Sequence, residues 1–173
     1  MYVRSFLIVA AWIAVSLAAI AIGVSVSWFR STPPLFLPNG TVIARFESKG
    51  YGKLAIENGT AQDAVVKLVK SVEKRAIASV CVRANNKTEL TSIPDGSYEI
   101  FITQGSDWDS ASSIFTRSVS YSRFDKVADF KTKTVDRGGA SILETPIWQI
   151  TLQPVPLGNT KTESISEDDF RSK

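Results

Sequence analysis

The sequence predicts an all-β domain, an antiparallel β-sandwich of about seven to nine strands, behind one N-terminal transmembrane helix. Three observations carry this. Residues 5–29 hold no charged side chain, although the 173-residue chain has 20 Lys and Arg and 17 Asp and Glu. From Thr41 onward the apolar residues recur at every second position, the period of a half-buried strand. Between those alternating runs stand residues that tolerate positive φ or pre-set a turn. The chain divides accordingly into an anchor at 1–30, a linker at 31–40, a β-domain at 41–155 and a flexible polar tail at 156–173.

The anchor runs from Phe6 to Phe29, with Arg4 before it and Arg30 after it. As a helix, these residues span roughly 36 Å, enough to cross roughly 30 Å of bilayer hydrocarbon with some tilt. Trp28 suits the headgroup zone, Arg30 can extend to water, and Pro33-Pro34 end the helix. A cleavable signal peptide is the competing reading, since Ala19-Ile20-Ala21 matches a small-x-small cleavage site. The apolar run continues past that site through Ile22, Val24 and Val26, which favours a retained anchor. The expectation is a single-pass protein held in the lipid bilayer through residues 6–29, with its C-terminal domain outside the cytoplasm. Secretion after cleavage is the alternative. Ala10, Ala14 and Ala18, and separately Ala19, Gly23 and Ser27, form rows that would allow self-association through the helix. An alanine-rich span also produces such rows by chance.

The strands follow in order. Val42, Ala44 and Phe46 alternate with Thr41, Arg45 and Glu47, and Leu54 and Ile56 with Lys53 and Glu57. Ala64, Val66 and Leu68 form the apolar half of the next run, and Ala76, Ala78, Val80 and Val82 that of a fourth. Tyr98, Ile100 and Ile102 give a fifth, Phe115, Val119 and Tyr121 a sixth, and Trp148, Ile150 and Leu152 a seventh, with Trp148 expected in the core. Turns are expected at Gly50-Tyr51-Gly52, Asn58-Gly59, Asn85-Asn86, Pro94-Asp95-Gly96 and Gly138-Gly139. After Pro154 the composition becomes too polar to bury itself, with Phe170 its one aromatic side chain. That segment is expected to be flexible and Phe170 unpacked.

Several of these stretches belong together: Leu54-Ala55-Ile56-Glu57-Asn58-Gly59-Thr60, Asp63-Ala64-Val65-Val66-Lys67-Leu68, and Ile93-Pro94-Asp95-Gly96-Ser97-Tyr98. Gly105-Ser106-Asp107-Trp108-Asp109-Ser110, Phe115-Thr116-Arg117, Tyr121-Ser122-Arg123-Phe124-Asp125 and Trp148-Gln149-Ile150-Thr151-Leu152 complete the set. In this order they resemble an uncharacterised bacterial β-rich module that stands at the C-terminal end of longer proteins, in some after a membrane helix. The resemblance covers about residues 38–170. It implies the domain boundary and the β-rich fold, and it brings no activity, ligand or catalytic residue. Cys81 and Ile142-Leu143 match no part of the pattern.

Composition excludes several chemistries. Without histidine there is no Ser-His or Cys-His catalysis. One cysteine, Cys81, closes no disulfide within the chain, and its apolar neighbours suit an inert buried thiol. A net charge of +3 without a basic cluster argues against nucleic acid as a partner. Gly138-Gly139 lacks the Lys-Ser/Thr of a phosphate loop, and Asp95, Asp107 and Asp109 lack the glycine and distal Glu of a helical-hand calcium loop. No cofactor, metal or catalytic residue is expected. The candidate binding residues are Asp107, Trp108, Asp109, Tyr121 and Arg123, centred on a loop at Gln104–Ser113. Trp108 is read there either as a stacking surface or as a packing plug. The expected function is a non-catalytic interaction or structural module of the cell envelope, with an envelope protein or glycan as partner. The alternative is a hydrolase using two carboxylates, Asp107 and Asp109.

Overall fold

A computed structural model describes residues 37–45, 49–154 and 161–173. The membrane helix expected at residues 6–29 lies outside the described residues, and none of the described helices is long and apolar enough to cross a membrane. Along the chain the strands are β1 (Val42–Arg45), β2 (Gly52–Asn58), β3 (Asp63–Lys70), β4 (Ala76–Val82), β5 (Asn86–Ile93) and β6 (Gly96–Asp109). Then come β7 (Ile114–Phe124), β8 (Ala128–Phe130), β9 (Lys133–Arg137), β10 (Ala140–Glu144), β11 (Ile147–Thr151), β12 (Thr162–Ser164) and a helix, α1 (Glu167–Arg171). The domain is all-β and holds several antiparallel sheets.

The largest sheet has the order β1-β4-β3-β6-β7-β12, with β8 paired to the start of β6, and all its pairings are antiparallel. A second sheet has the order β11-β2-β5, in which β5 is antiparallel to β2 but β11 is parallel to it. The purely antiparallel expectation is corrected at that pair. A parallel neighbour needs a long crossover rather than a hairpin, and here the crossover is most of the domain. The strand count also exceeds the sequence expectation, because β5, β8, β9, β10 and β12 alternate too weakly to be read as strands.

The two larger sheets share one hydrophobic core. Leu54 and Ile56 of β2, Leu90 and Ile93 of β5 and Ile150 of β11 meet residues of the seven-stranded sheet, among them Val66, Val80, Ile100 and Ile102. Tyr98 and Phe130 pack edge to face with ring centroids 5.7 Å apart, and the Tyr98 hydroxyl donates to the Pro94 carbonyl at 2.9 Å. A buried phenol thereby keeps a polar partner. Gly52 is forced by this packing, since a Cβ there would lie 2.5 Å from the Phe130 ring. Asn58, fully buried, ties the sheets at the β2–β3 turn: its amide donates to the carbonyls of Gln62, Val82 and Arg83, and its oxygen accepts from the Thr60 amide and hydroxyl.

Two expectations about packing are corrected. Trp148 is half-buried at the edge of the core rather than within it, because its indole N–H reaches out to the Asp129 carbonyl at 2.8 Å. Residues 161–173, expected to be flexible, form β12 and α1. Ser166 caps the helix, its hydroxyl accepting from the Asp169 amide at 3.0 Å, with Glu167, Asp168 and Asp169 in the first turn and Arg171 in the last. Phe170 is buried against Val69, Ala76 and Phe101 on the outer face of the large sheet. Ile165 packs against the same patch, so apolar contact from two side chains helps to dock so short a segment.

Candidate functional site

Asp107, Trp108 and Asp109 lie on the end of β6, not on a loop; the turn is only Ser110–Ser113. Gly105 permits this continuation, since a Cβ there would lie 2.6 Å from the Cβ of Phe115 on the paired strand. Asp107 adopts a positive φ of 58° and forms an ion pair with Arg117 at 3.1 Å. Its backbone carbonyl accepts from the Thr116 hydroxyl at 2.9 Å. Trp108 packs edge-on against Phe115, centroids 5.0 Å apart. The space it borders with Leu37, Asp63 and Cys81 is about 10 Å³, room for one water at most. Asp109 accepts from the Ser112 hydroxyl and from the Ala111 amide, and these bonds hold its carboxyl below the usual carboxylate value. Burial pushes the Cys81 thiol up to about 11, Asp63 adding to the shift and Arg83 opposing it.

Tyr121 and Arg123 belong to a different place. Arg123 pairs with Phe101 in the β6–β7 register, eight residues from Asp109, or about 26 Å at the rise of a strand. Arg123 bridges Glu99 at 3.4 Å and Glu163 of β12 at 3.0 Å, while Tyr121 lies against the Phe170 ring at 5.4 Å. Burial, with help from Glu167, raises the Tyr121 hydroxyl above its ordinary value. Lys67 sits beside them. Its ammonium donates to the carbonyls of Phe170 at 2.8 Å and Lys173 at 3.3 Å and lies 4.2 Å from the Phe170 ring centroid. Burial pushes this amine down to about 8. These groups fasten residues 161–173 to the sheet. The five candidate residues therefore form no single site.

Two other features stand outside the five candidate residues. One is a cleft of about 320 Å³ lined by Ile100, Phe124, Ala128, Ile147, Trp148 and Ile150, where β11 meets the large sheet. The other is the hairpin of β9 and β10, a two-stranded sheet of its own. Its Gly138 and Gly139 have φ of 61° and 85°, the paired positive values that a two-residue turn between strands needs. Every residue of β10 is exposed, with Ile142 at 43% and Leu143 at 45%. The sequence carried two signals for it, the Gly-Gly turn and an Ile-Leu pair, but five-residue arms are too short to show a period.

Among the described residues no three Cys, Asp or Glu side chains gather as a metal site. Asp107 is ion-paired with Arg117, and the hydrogen bonds from Ser112 and Ala111 shift the Asp109 carboxyl away from the range of a general acid. No protein-family model, curated protein or solved structure matches the chain.

Proposed function

We propose that this chain is a membrane-anchored, non-catalytic interaction module of the cell envelope. Residues 6–29 hold it in the bilayer, and a β-sandwich is presented outside the cytoplasm with the hairpin Lys133–Glu144 as its contact surface. The two sheets sharing one core support the sandwich reading. The observation that carries the interaction reading is the hairpin itself. A lone two-stranded sheet is marginal in water, and this one turns Ile142 and Leu143 to solvent. Binding surfaces borne on a rigid scaffold have this form. The contact surface moves here from the Gln104–Ser113 region, because Trp108 is engaged by Phe115. A hydrolase needs a carboxylic acid that stays protonated near neutral pH, and Asp109 is shifted the other way.

The test uses the full chain in native membranes. A photo-cross-linking side chain at Leu143 should capture a protein partner, and one at Lys87, exposed on β5, should not. Equal yields at the two positions would remove the hairpin from the proposal. Carbonate washing should leave the chain in the membrane pellet, and release into the wash would remove the anchor.

A further inference from the structure

We infer that the partner of the hairpin is a second copy of this chain, added edge to edge so that β10 pairs antiparallel with β10 about a two-fold axis at Ile142. The inference rests on the reading of the hairpin as the contact surface and names what occupies it. Strand edges exposed to solvent are ordinarily guarded by charge, proline or a bulge. The edge strand β5 follows this rule, exposing Asn86, Lys87, Glu89 and Thr91. The outer strand β9 does so with Lys133, Asp136 and Arg137. In contrast, β10 reads Ala-Ser-Ile-Leu-Glu, carries one charge, and pairs with β9 without a bulge.

The hydrogen-bonding pattern suits this pairing. A two-residue turn makes its flanking pair, Arg137 and Ala140, a hydrogen-bonded one, and the alternation then runs along the ladder. Ala140, Ile142 and Glu144 therefore direct their backbone groups at β9, whereas Ser141 and Leu143 direct theirs outward. An axis at Ile142 places Ser141 of one copy opposite Leu143 of the other, twice. Each such pair exchanges both backbone bonds, so all the outward groups of Ser141 and Leu143 are used.

The side chains agree with the same register. Val135 and Ile142 are cross-strand partners on one face of the hairpin. Pairing about Ile142 makes a stripe of Val135, Ile142, Ile142 and Val135 across four strands, and adjacent apolar pairs of this kind stabilise sheets. The flanking rows complement in charge. Lys133 and Glu144 are register partners, as are Arg137 and Ala140, so Glu144 of one copy falls beside Ala140 of the other, with Arg137 of that copy next in the row. Arg137 already reaches Glu144 within one hairpin at 2.8 Å. The small Ala140 leaves room for it to reach across the axis. A slip that moved the axis to Leu143 would set Glu144 against Ile142.

Disulfide trapping tests the register on the full chain. At the axis the two Ile142 positions form a non-hydrogen-bonded pair about 4.5 Å apart at Cα, within disulfide reach, whereas the two Ala140 positions lie about 14 Å apart. Under mild oxidation Ile142→Cys should form a dimer and Ala140→Cys should not, the native Cys81 being buried. In sedimentation of the detergent-solubilised chain, Ile142→Lys should lower the dimer fraction at least tenfold while the melting temperature stays unchanged. Equal trapping at both positions, trapping at neither, or a dimer indifferent to Ile142→Lys would overturn the second copy as partner. If in those cases the probe at Leu143 still captures another protein, the contact surface stands and only its occupant changes.

Discussion

The strands β4 and β10 are both short and rich in small and aliphatic residues, yet they have opposite fates. All seven residues of β4 are buried, and all five of β10 are exposed. The difference lies in their neighbours. One face of β4 supplies Ala78, Val80 and Val82 to the core shared with the second sheet. Its other face is covered in part by the chain's last residues, where Ala76 meets Phe170, and in part near Cys81 by Leu37 and Trp108. Nothing among the described strands other than β9 pairs with β10. Forming a strand and burying it are thus separate events, and only the second depends on what else the chain brings near.

Large-to-small substitution gives the sharpest contrast. Ile77→Ala on β4, where the side chain is 1% exposed, should destabilise the domain by about 2–5 kcal/mol in urea unfolding. A loss below about 1 kcal/mol there would mean that the sheets share no packed core.

A smaller effect probes the cover on the outer face. Lys67 pairs with Ser79 of β4, and its amine, ordinarily near 10.5, is pushed down to about 8 by burial. Below pH 8 both folded and unfolded chains carry the charge, so the folded state bears the whole cost of holding it. As pH rises through 8 the folded chain releases the proton first. Stability should therefore rise between about pH 8 and pH 10, by about 1 kcal/mol once solvent screening of this partly exposed amine is allowed for. Tyr121, whose hydroxyl is raised, reverses the trend above its ordinary value of 10.0, because the unfolded chain then ionises first. Lys67→Met should flatten the rise, and a rise that persisted in the variant would assign it to another group.

The smallest effect belongs to the hairpin. Leu143→Ala should change stability by less than about 0.5 kcal/mol, since the side chain it removes is already in water. A large loss would show that β10 is covered within its own chain.

The sequence was legible where one side of a strand faces the core and the other faces water. Leu54 and Ile56 alternate because one face of β2 meets the core and the other is partly open to solvent, whereas β6 is buried on both faces at Phe101 and Thr103. The edge strand β5 escaped notice because just Leu90 and Ile93 are buried and the rest is polar. The far half of β6 reads as a loop in sequence because Gly105-Ser106 resembles a turn, and only the contact with Phe115 shows why glycine stands there. Of the candidate residues, the types were informative and the grouping was not. Tyr121 and Arg123 are occupied by Phe170 and Glu163, partners some forty residues or more downstream.

What the sequence determined by itself was therefore local: the β period, the turn glycines at Gly138 and Gly139, and a chain with no histidine and a single cysteine. These follow from residue type and spacing, which act over a few neighbours along the chain. The tertiary structure alone decided the parallel seating of β11 on β2, the docking of Phe170, the half-exposed place of Trp148 and the isolation of β9 and β10. Each of these depends on which surfaces meet across long stretches of chain. Burial is a property of the pair of surfaces in contact, and one strand's sequence specifies only its own half.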